Sequence, residues 1–169
     1  MRIIKTLAIL LVISACGGDG GSNAPDISDD PDLGNSSDES CSAYSSNIGN
    51  GSTFNCSIVH DNIDRQFFVY IGSGYDSNSP VLFVLHGYTS RSLWIMNYSG
   101  FQSIADDNGF IVVYPQGTLL PAPGQTHWNV GGWTTSSSTD DVGFIDSLIE
   151  FLDDEYSINQ KQIYSTGMS

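Results

Sequence analysis

Two uninterrupted apolar runs constrain this chain most: Val81-Leu82-Phe83-Val84-Leu85 and Phe110-Ile111-Val112-Val113-Tyr114. Neither alternates polar with apolar residues, as a strand with one wet face would. Continuous apolarity over such short runs, rich in β-branched side chains and followed closely by Gly or Pro, predicts strands buried on both faces. A sheet of such strands must be covered by helices on both sides, so the chain reads as α/β.

The intervening segments fit that reading. A helix is expected from about Ser99 to Asp107, where Phe101, Ile104 and Ala105 share a face and Asn108-Gly109 supplies a C-terminal stop. A clearer helix runs from Asp141 to about Asp154. In it Ile145, Leu148, Ile149, Leu152 and Tyr156 recur at the helical period, while Thr139, Asp140 and Asp141 place capping oxygens and negative charge at its start. Gln162 to Ser165 predicts a third buried strand. Upstream, Thr53 to His60 and Arg65 to Ile71 are β-prone runs broken by Asp61-Asn62-Ile63-Asp64, which reads as a hairpin. From Pro115 to about Thr139 runs a Gly/Pro/Ser/Thr-rich loop with His127, Trp128 and Trp133, longer than a compact domain usually carries without a functional reason. Strand, helix, strand, helix, strand is the order of a doubly wound, mostly parallel sheet.

The first residues do not belong to that sheet. Met1-Arg2-Ile3-Ile4-Lys5 is a short basic start, and Thr6 to Ile13 is an apolar run too short to act as a stop-transfer helix, so residues 1–15 read as a secretory signal. It ends in Ile13-Ser14-Ala15-Cys16, which resembles a bacterial lipobox. Cys16 is therefore expected to become a lipidated N-terminus; the alternative is an ordinary signal peptide with a chance cysteine. Residues 16–40 are Gly, Ser, Asn, Asp and Pro with almost no apolar side chain, an acidic disordered tether. Residues 41–169 then form one domain, as a chain of 169 residues suggests.

Charge narrows the partners. Arg2 and Lys5 are two of only five basic residues, and all nineteen acids lie beyond them, so the chain without its leader carries a net charge of −16. Nucleic acid is excluded as a partner on that balance. Part of the acidity (Asp19, Asp26, Asp29, Asp30, Asp32, Asp38, Glu39) belongs to the tether and serves solubility. With Cys16 lipidated, Cys41 and Cys56 remain as a pair in an exported chain and are expected to form a disulfide. No Cys/His spacing suggests a metal, and no cofactor is implied. Asn35, Asn50, Asn55 and Asn97 stand in N-x-[ST] sequences, idle if the lipobox places the chain in a bacterium.

Chemistry enters at the end of the chain. The β-prone Ile163-Tyr164 leads into Gly167-Met168-Ser169, the first three letters of G-x-S-x-G. In that pattern the serine sits on a tight strand-to-helix turn, and the glycines two residues either side leave room for it. By itself G-x-S is more often a structural turn. A second piece changes its weight: His86-Gly87-Tyr88 directly follows the first buried strand, where a serine hydrolase of this kind places one backbone amide of its oxyanion hole. Tyr88 is the expected donor. A glycine turn with a locally bonded histidine is the other reading of the same residues.

In order and spacing, "PVLFVLHGYTS", "SGFQSIADDNGFIVVYPQG", "HWNVGGW", "DDVGFIDSLI" and "IYSTGMS" resemble the secreted esterases of the polyhydroxybutyrate depolymerase and feruloyl esterase group, related to carbohydrate esterase family one. The likeness spans about residues 64–169. It implies an α/β-hydrolase fold, a nucleophile at Ser169 and oxyanion support near Tyr88. It also implies a triad acid and base after the serine in chain order, beyond residue 169. His60, His86 and His127 precede the serine and read as loop or strand-end histidines, and helix capping accounts for Asp140 and Asp141. The expectation is a lipid-anchored cell-envelope or extracellular serine esterase, seen as a C-terminally truncated piece inactive and poorly folded alone, its three central strands left with open edges.

Its substrates would be polymeric or aromatic esters, and Tyr88, Trp94, Tyr98, Trp128 and Trp133 could line a cleft or simply pack in the core. The alternatives are a surface lipoprotein that binds polysaccharide or polyester without cleaving it, and a peptidase on the same fold.

Overall fold

The computed structural model describes residues 39–168. The signal segment, Cys16, nearly all of the tether and Ser169 lie outside the described residues.

The apolar runs form the middle of a six-stranded sheet. Its strands are β1 (Ser40–Ala43), β2 (Ser52–His60), β3 (Ile63–Ile71), β4 (Val81–Leu85), β5 (Ile111–Pro115) and β8 (Ile163–Gly167), in the order β1-β2-β3-β5-β4-β8. β4 lies parallel to β5 on one side and to β8 on the other, while β3 joins β5 antiparallel and carries the β2–β3 hairpin and β1 outward. Two short strands, β6 (Thr118–Leu119) and β7 (Thr126–His127), form a separate ribbon.

Both-face burial is literal. Ile111 and Val113 of β5 pack with Phe67, Val69 and Phe83 beneath the long helix, whereas Val112 and Tyr114 pack with Tyr70, Val84, Ile95 and Met96 on the opposite face. Each such side chain stabilises the fold by roughly 1.5–3 kcal/mol relative to exposure. The covering helices are α1 (Ser92–Ser99) and α2 (Phe101–Asn108) on one face and α3 (Asp141–Tyr156) on the other.

Several expectations need correction. The helix expected from about Ser99 to Asp107 is α2, which begins at Phe101; α1 before it was not expected, and the two are separated by Gly100, whose φ of 73° is left-handed. The break resets the helical phase, so Gln102 and Ala105 are buried while Ile104 points to solvent. The α2 stop is as expected: Gly109 has φ 67° and donates its N–H to the Ala105 carbonyl. In α3 the most buried face is Phe144, Leu148, Phe151 and Leu152, with Ile145 and Ile149 on its flank. The hairpin needs only two turn residues, Asp61 and Asn62, both at positive φ, the geometry that follows the twist of paired strands. β1 begins at Ser40, the last residue assigned to the tether, and Cys41 faces Cys56 across β1–β2 in a disulfide.

The largest departure is at β8. It is a strand, but Tyr164 to Gly167 are exposed, because β4 is its sole neighbour in the sheet among the described residues. Conversely, β4 and β5 are each paired on both sides, so one central strand, not three, has an open edge.

Candidate active site

Parallel pairing brings the two chemistry-bearing segments together. β4 and β8 run in register from Val81↔Ile163 to Leu85↔Gly167, so the residues leaving both strands emerge at the same end of the sheet. Met168 donates its N–H to the Leu85 carbonyl at 3.2 Å. Glycine is required at 167 by that closeness: a Cβ there would stand 2.9 Å from the Leu85 oxygen and 3.1 Å from its Cβ. The first glycine of the G-x-S pattern thus has a local physical cause. Ser169, the expected nucleophile, lies outside the described residues; the chain is placed up to Met168.

The loop after β4 is held in one conformation. His86 is 1 % exposed, and burial pushes its pKa below the usual histidine value, so the neutral ring is favoured. With a proton on Nδ1, it donates to the Gly87 carbonyl at 2.8 Å and accepts at Nε2 from the Gly117 N–H at 2.9 Å. Gln116 extends the lock. Its Nε2 lies 3.1 Å from His86 Nε2, and its Oε1 accepts from the Ser92 N–H and hydroxyl, both at 3.0 Å. That supplies the start of α1 with the acceptor that Arg91 does not provide.

Thr89 takes φ 64°, which is costly for a β-branched residue, and its N–H is held by the Thr126 carbonyl at 2.9 Å. The Ser90 N–H closes a turn onto the Gly87 carbonyl at 3.0 Å. The Tyr88 amide between them meets no acceptor among the described residues. A fixed, unengaged N–H is what an oxyanion needs.

Tyr88 and Met168 lie on one cleft of about 260 Å³, with His86, Trp128, Val130 and Trp133. The long loop forms its far wall. Trp128 donates its indole N–H to the His86 carbonyl at 2.8 Å, and Trp133 meets the Tyr88 ring edge to face at 4.8 Å. Of the five aromatics singled out in the sequence, Trp128 alone is largely buried; Tyr88, Trp94, Tyr98 and Trp133 are exposed. A larger trough of about 420 Å³ between α3 and β8 is lined chiefly by apolar residues such as Phe83, Leu85, Val142 and Ile145. Neither Tyr88 nor Met168 reaches it, so size alone does not mark the site.

Capping does not exhaust the role of Asp141. Asp140 is the N-cap, accepting from the Gly143 N–H at 2.9 Å. Asp141 is buried and accepts from Arg65 Nη2 at 2.6 Å with one oxygen and from the Asn129 N–H at 2.6 Å with the other. Arg65, 2 % exposed, also stacks 3.8 Å from the Phe144 ring centroid, and burial lowers its pKa against the opposing pull of Asp141. The pair fixes Asn129, and with it the cleft loop, to β3 and α3. Sequence reading missed Arg65, Gln116 and this use of Asp141. The available signal was a basic residue heading an apolar strand in a chain with five bases.

The three histidines behave as expected. His127 is buried with Nδ1 3.0 Å from the Thr118 carbonyl, and His60 Nδ1 lies 3.1 Å from the Ser147 hydroxyl. His60, Asp61 and Asp140 could each offer a ligand atom to a cation, all within 4.8 Å of one another, but none lines the cleft.

No family model matches the chain. It is 32 % identical over 105 residues to a bifunctional acetylxylan esterase/xylanase of Neocallimastix patriciarum and 31 % identical over 110 residues to feruloyl esterase B of Thermothelomyces thermophilus. Each match covers 62 % of this chain, but only 14 % and 35 % of those proteins. Among solved structures, an S-formylglutathione hydrolase from Agrobacterium tumefaciens superposes with TM-score 0.56 at 16 % identity, over 76 % of this chain and 52 % of that one. An acetyl xylan esterase from Aspergillus awamori superposes with TM-score 0.53 at 17 % identity, over 66 % and 41 %. The fold is that of the N-terminal part of an α/β-hydrolase fold.

Proposed function

We propose that this chain is the elbow-bearing part of an exported serine esterase that cleaves acetyl-type or feruloyl-type carboxylic esters borne on polysaccharide. The observation that carries the reading is that Tyr88, whose amide meets no acceptor among the described residues, and Met168 at the end of β8 line one cleft. Ser169 Oγ attacks the ester carbonyl carbon and loses its proton to a histidine base; negative charge gathers on the carbonyl oxygen, which the Tyr88 N–H stabilises. Collapse of that adduct expels the alcohol, which takes the proton from the base, and water then releases the acid from the serine. In this fold the base and the acid that orients it come after the serine in the chain. Acetylxylan and feruloyl esters are favoured over polyesters by the names of the curated relatives. Neither a cofactor nor a metal takes part in these steps. The lipid at Cys16 holds the enzyme at the cell envelope through the acidic tether.

Expression of the coding frame continued past Ser169 tests this. Such a product should hydrolyse methyl ferulate or nitrophenyl acetate, with kcat lowered by orders of magnitude in Ser169→Ala and KM nearly unchanged. The 169-residue chain alone should show no Ser169-dependent turnover. Full activity in the Ser169→Ala long product would reject the elbow, and a surface protein that binds without cleaving would take its place. Mass spectrometry should find diacylglycerol on Cys16; an unmodified Cys16 would remove the anchor.

A further inference from the structure

Two exposed aromatic side chains outside the cleft stand one turn apart on the same face of α1. Trp94 and Tyr98 are each 56 % exposed, while Ile95 and Met96 between them turn inward and are buried. Side chains at i and i+4 lie about 5–6 Å apart at Cβ, close to the advance of one sugar unit along a polysaccharide. The Arg91 guanidinium sits 5.9 Å from the Trp94 ring centroid, and Tyr98 donates its hydroxyl to Met168 Sδ at 3.2 Å. The row therefore starts beside a cationic donor and ends at the strand terminus that borders the cleft. A second hollow of about 210 Å³, under Tyr98 and Phe101, continues from Met168 along the same edge.

Charge separates this surface from the rest of the chain. Between Asp76 and Asp106, and again between Asp107 and Asp140, there is no acidic residue, although the chain has nineteen. The loop after β4, α1, the β6–β7 ribbon and the far wall of the cleft all come from those two acid-free stretches. A neutral or weakly acidic polymer meets no carboxylate from those two stretches.

The polar flanks decide against an apolar occupant. Arg91 and Asn97 are exposed beside the rings, and a polyester or lipid surface would strip them of water with nothing in return. A sugar ring offers C–H groups to an aromatic face and hydroxyls to a guanidinium or amide. We infer that Trp94 and Tyr98 form a stacking platform on α1 for a polysaccharide chain, presenting its ester substituents to the cleft at Met168. The inference rests on the esterase reading for the word substrate, but binding at the platform does not depend on Ser169.

The test uses the 169-residue chain, with xylohexaose followed by tryptophan fluorescence and insoluble xylan followed by co-sedimentation. Binding should be present, unchanged in Ser169→Ala, and weakened about tenfold or more by Trp94→Ala or Tyr98→Ala. Both residues are exposed, so far-ultraviolet circular dichroism and the unfolding midpoint should stay as in the parent, and Trp94→Phe should keep most of the binding. No binding of either xylan probe, or binding indifferent to Trp94→Ala and Tyr98→Ala, overturns the platform. Tighter binding to polyhydroxybutyrate granules than to xylan overturns its chemistry. Failure of the esterase reading would appear separately, as Ser169-independent hydrolysis by the longer product with xylan binding intact.

Discussion

Asp141→Ala should unfold this domain far more easily than its position in the first turn of a helix suggests. Arg65 would keep its charge at 2 % exposure with a single acceptor left, the Gln116 carbonyl at 3.4 Å, since its Nε and Nη1 already lack partners among the described residues. Removing one member of a buried ion pair costs about 3–5 kcal/mol, much of it the penalty of the stranded charge. The Asn129 N–H loses its acceptor in the same step. Against a typical stability of about 5–15 kcal/mol, that is roughly a fifth or more of the total.

Urea unfolding at neutral pH should show the loss as a lower midpoint for Asp141→Ala. Arg65→Met together with Asp141→Leu should recover most of the loss, because apolar groups of similar size remove the desolvation problem. The double variant should still show altered Trp128 fluorescence, because Asn129 is no longer tied and the neighbouring indole bond to the His86 carbonyl loosens. A cost below about 1 kcal/mol for Asp141→Ala at an unchanged urea slope would refute the argument, since it would mean water already reaches Arg65.

Burial holds the folded His86 pKa below its usual value of 6.5. The unfolded chain therefore takes up the proton first, and stability that is complete above 6.5 is lost as pH falls below it, with a slope of up to about 1.4 kcal/mol per pH unit. Melting from pH 8 to pH 5 should show that slope in the parent and a smaller one in His86→Gln; equal slopes would assign it elsewhere. Gly167→Ala should cost about 1–3 kcal/mol, because its methyl would meet the Leu85 oxygen at 2.9 Å. Urea midpoints measure that cost, and an unchanged value would show that the β8 edge yields. Replacing Cys41 and Cys56 by Ser should cost about 3 kcal/mol for a bridge separated by 15 residues, and a reductant should cost the parent the same. A parent indifferent to reductant would mean that the β1–β2 pairing carries the strand without the bridge.

Features that depend on neighbours along the chain were legible in the residues alone. The runs at 81–85 and 110–114, the existence of the β2–β3 hairpin, the stop at Gly109, the Asp140 cap and the glycine at 167 can each be read from a few adjacent positions, because burial period, φ and capping are local. Helix α1 went unread, since Arg91 offers no capping oxygen to mark its start. Which distant groups meet was settled by the packing of the elements. Arg65, Gln116 and Asp141 carry no local mark of their roles, which come from strand order β3-β5-β4 and from α3 crossing above it. The exposure of β8, Trp94 and Tyr98 is likewise a matter of what lies opposite them. Aromatic and β-branched residues read the same in a sequence whether a neighbour covers them or water does.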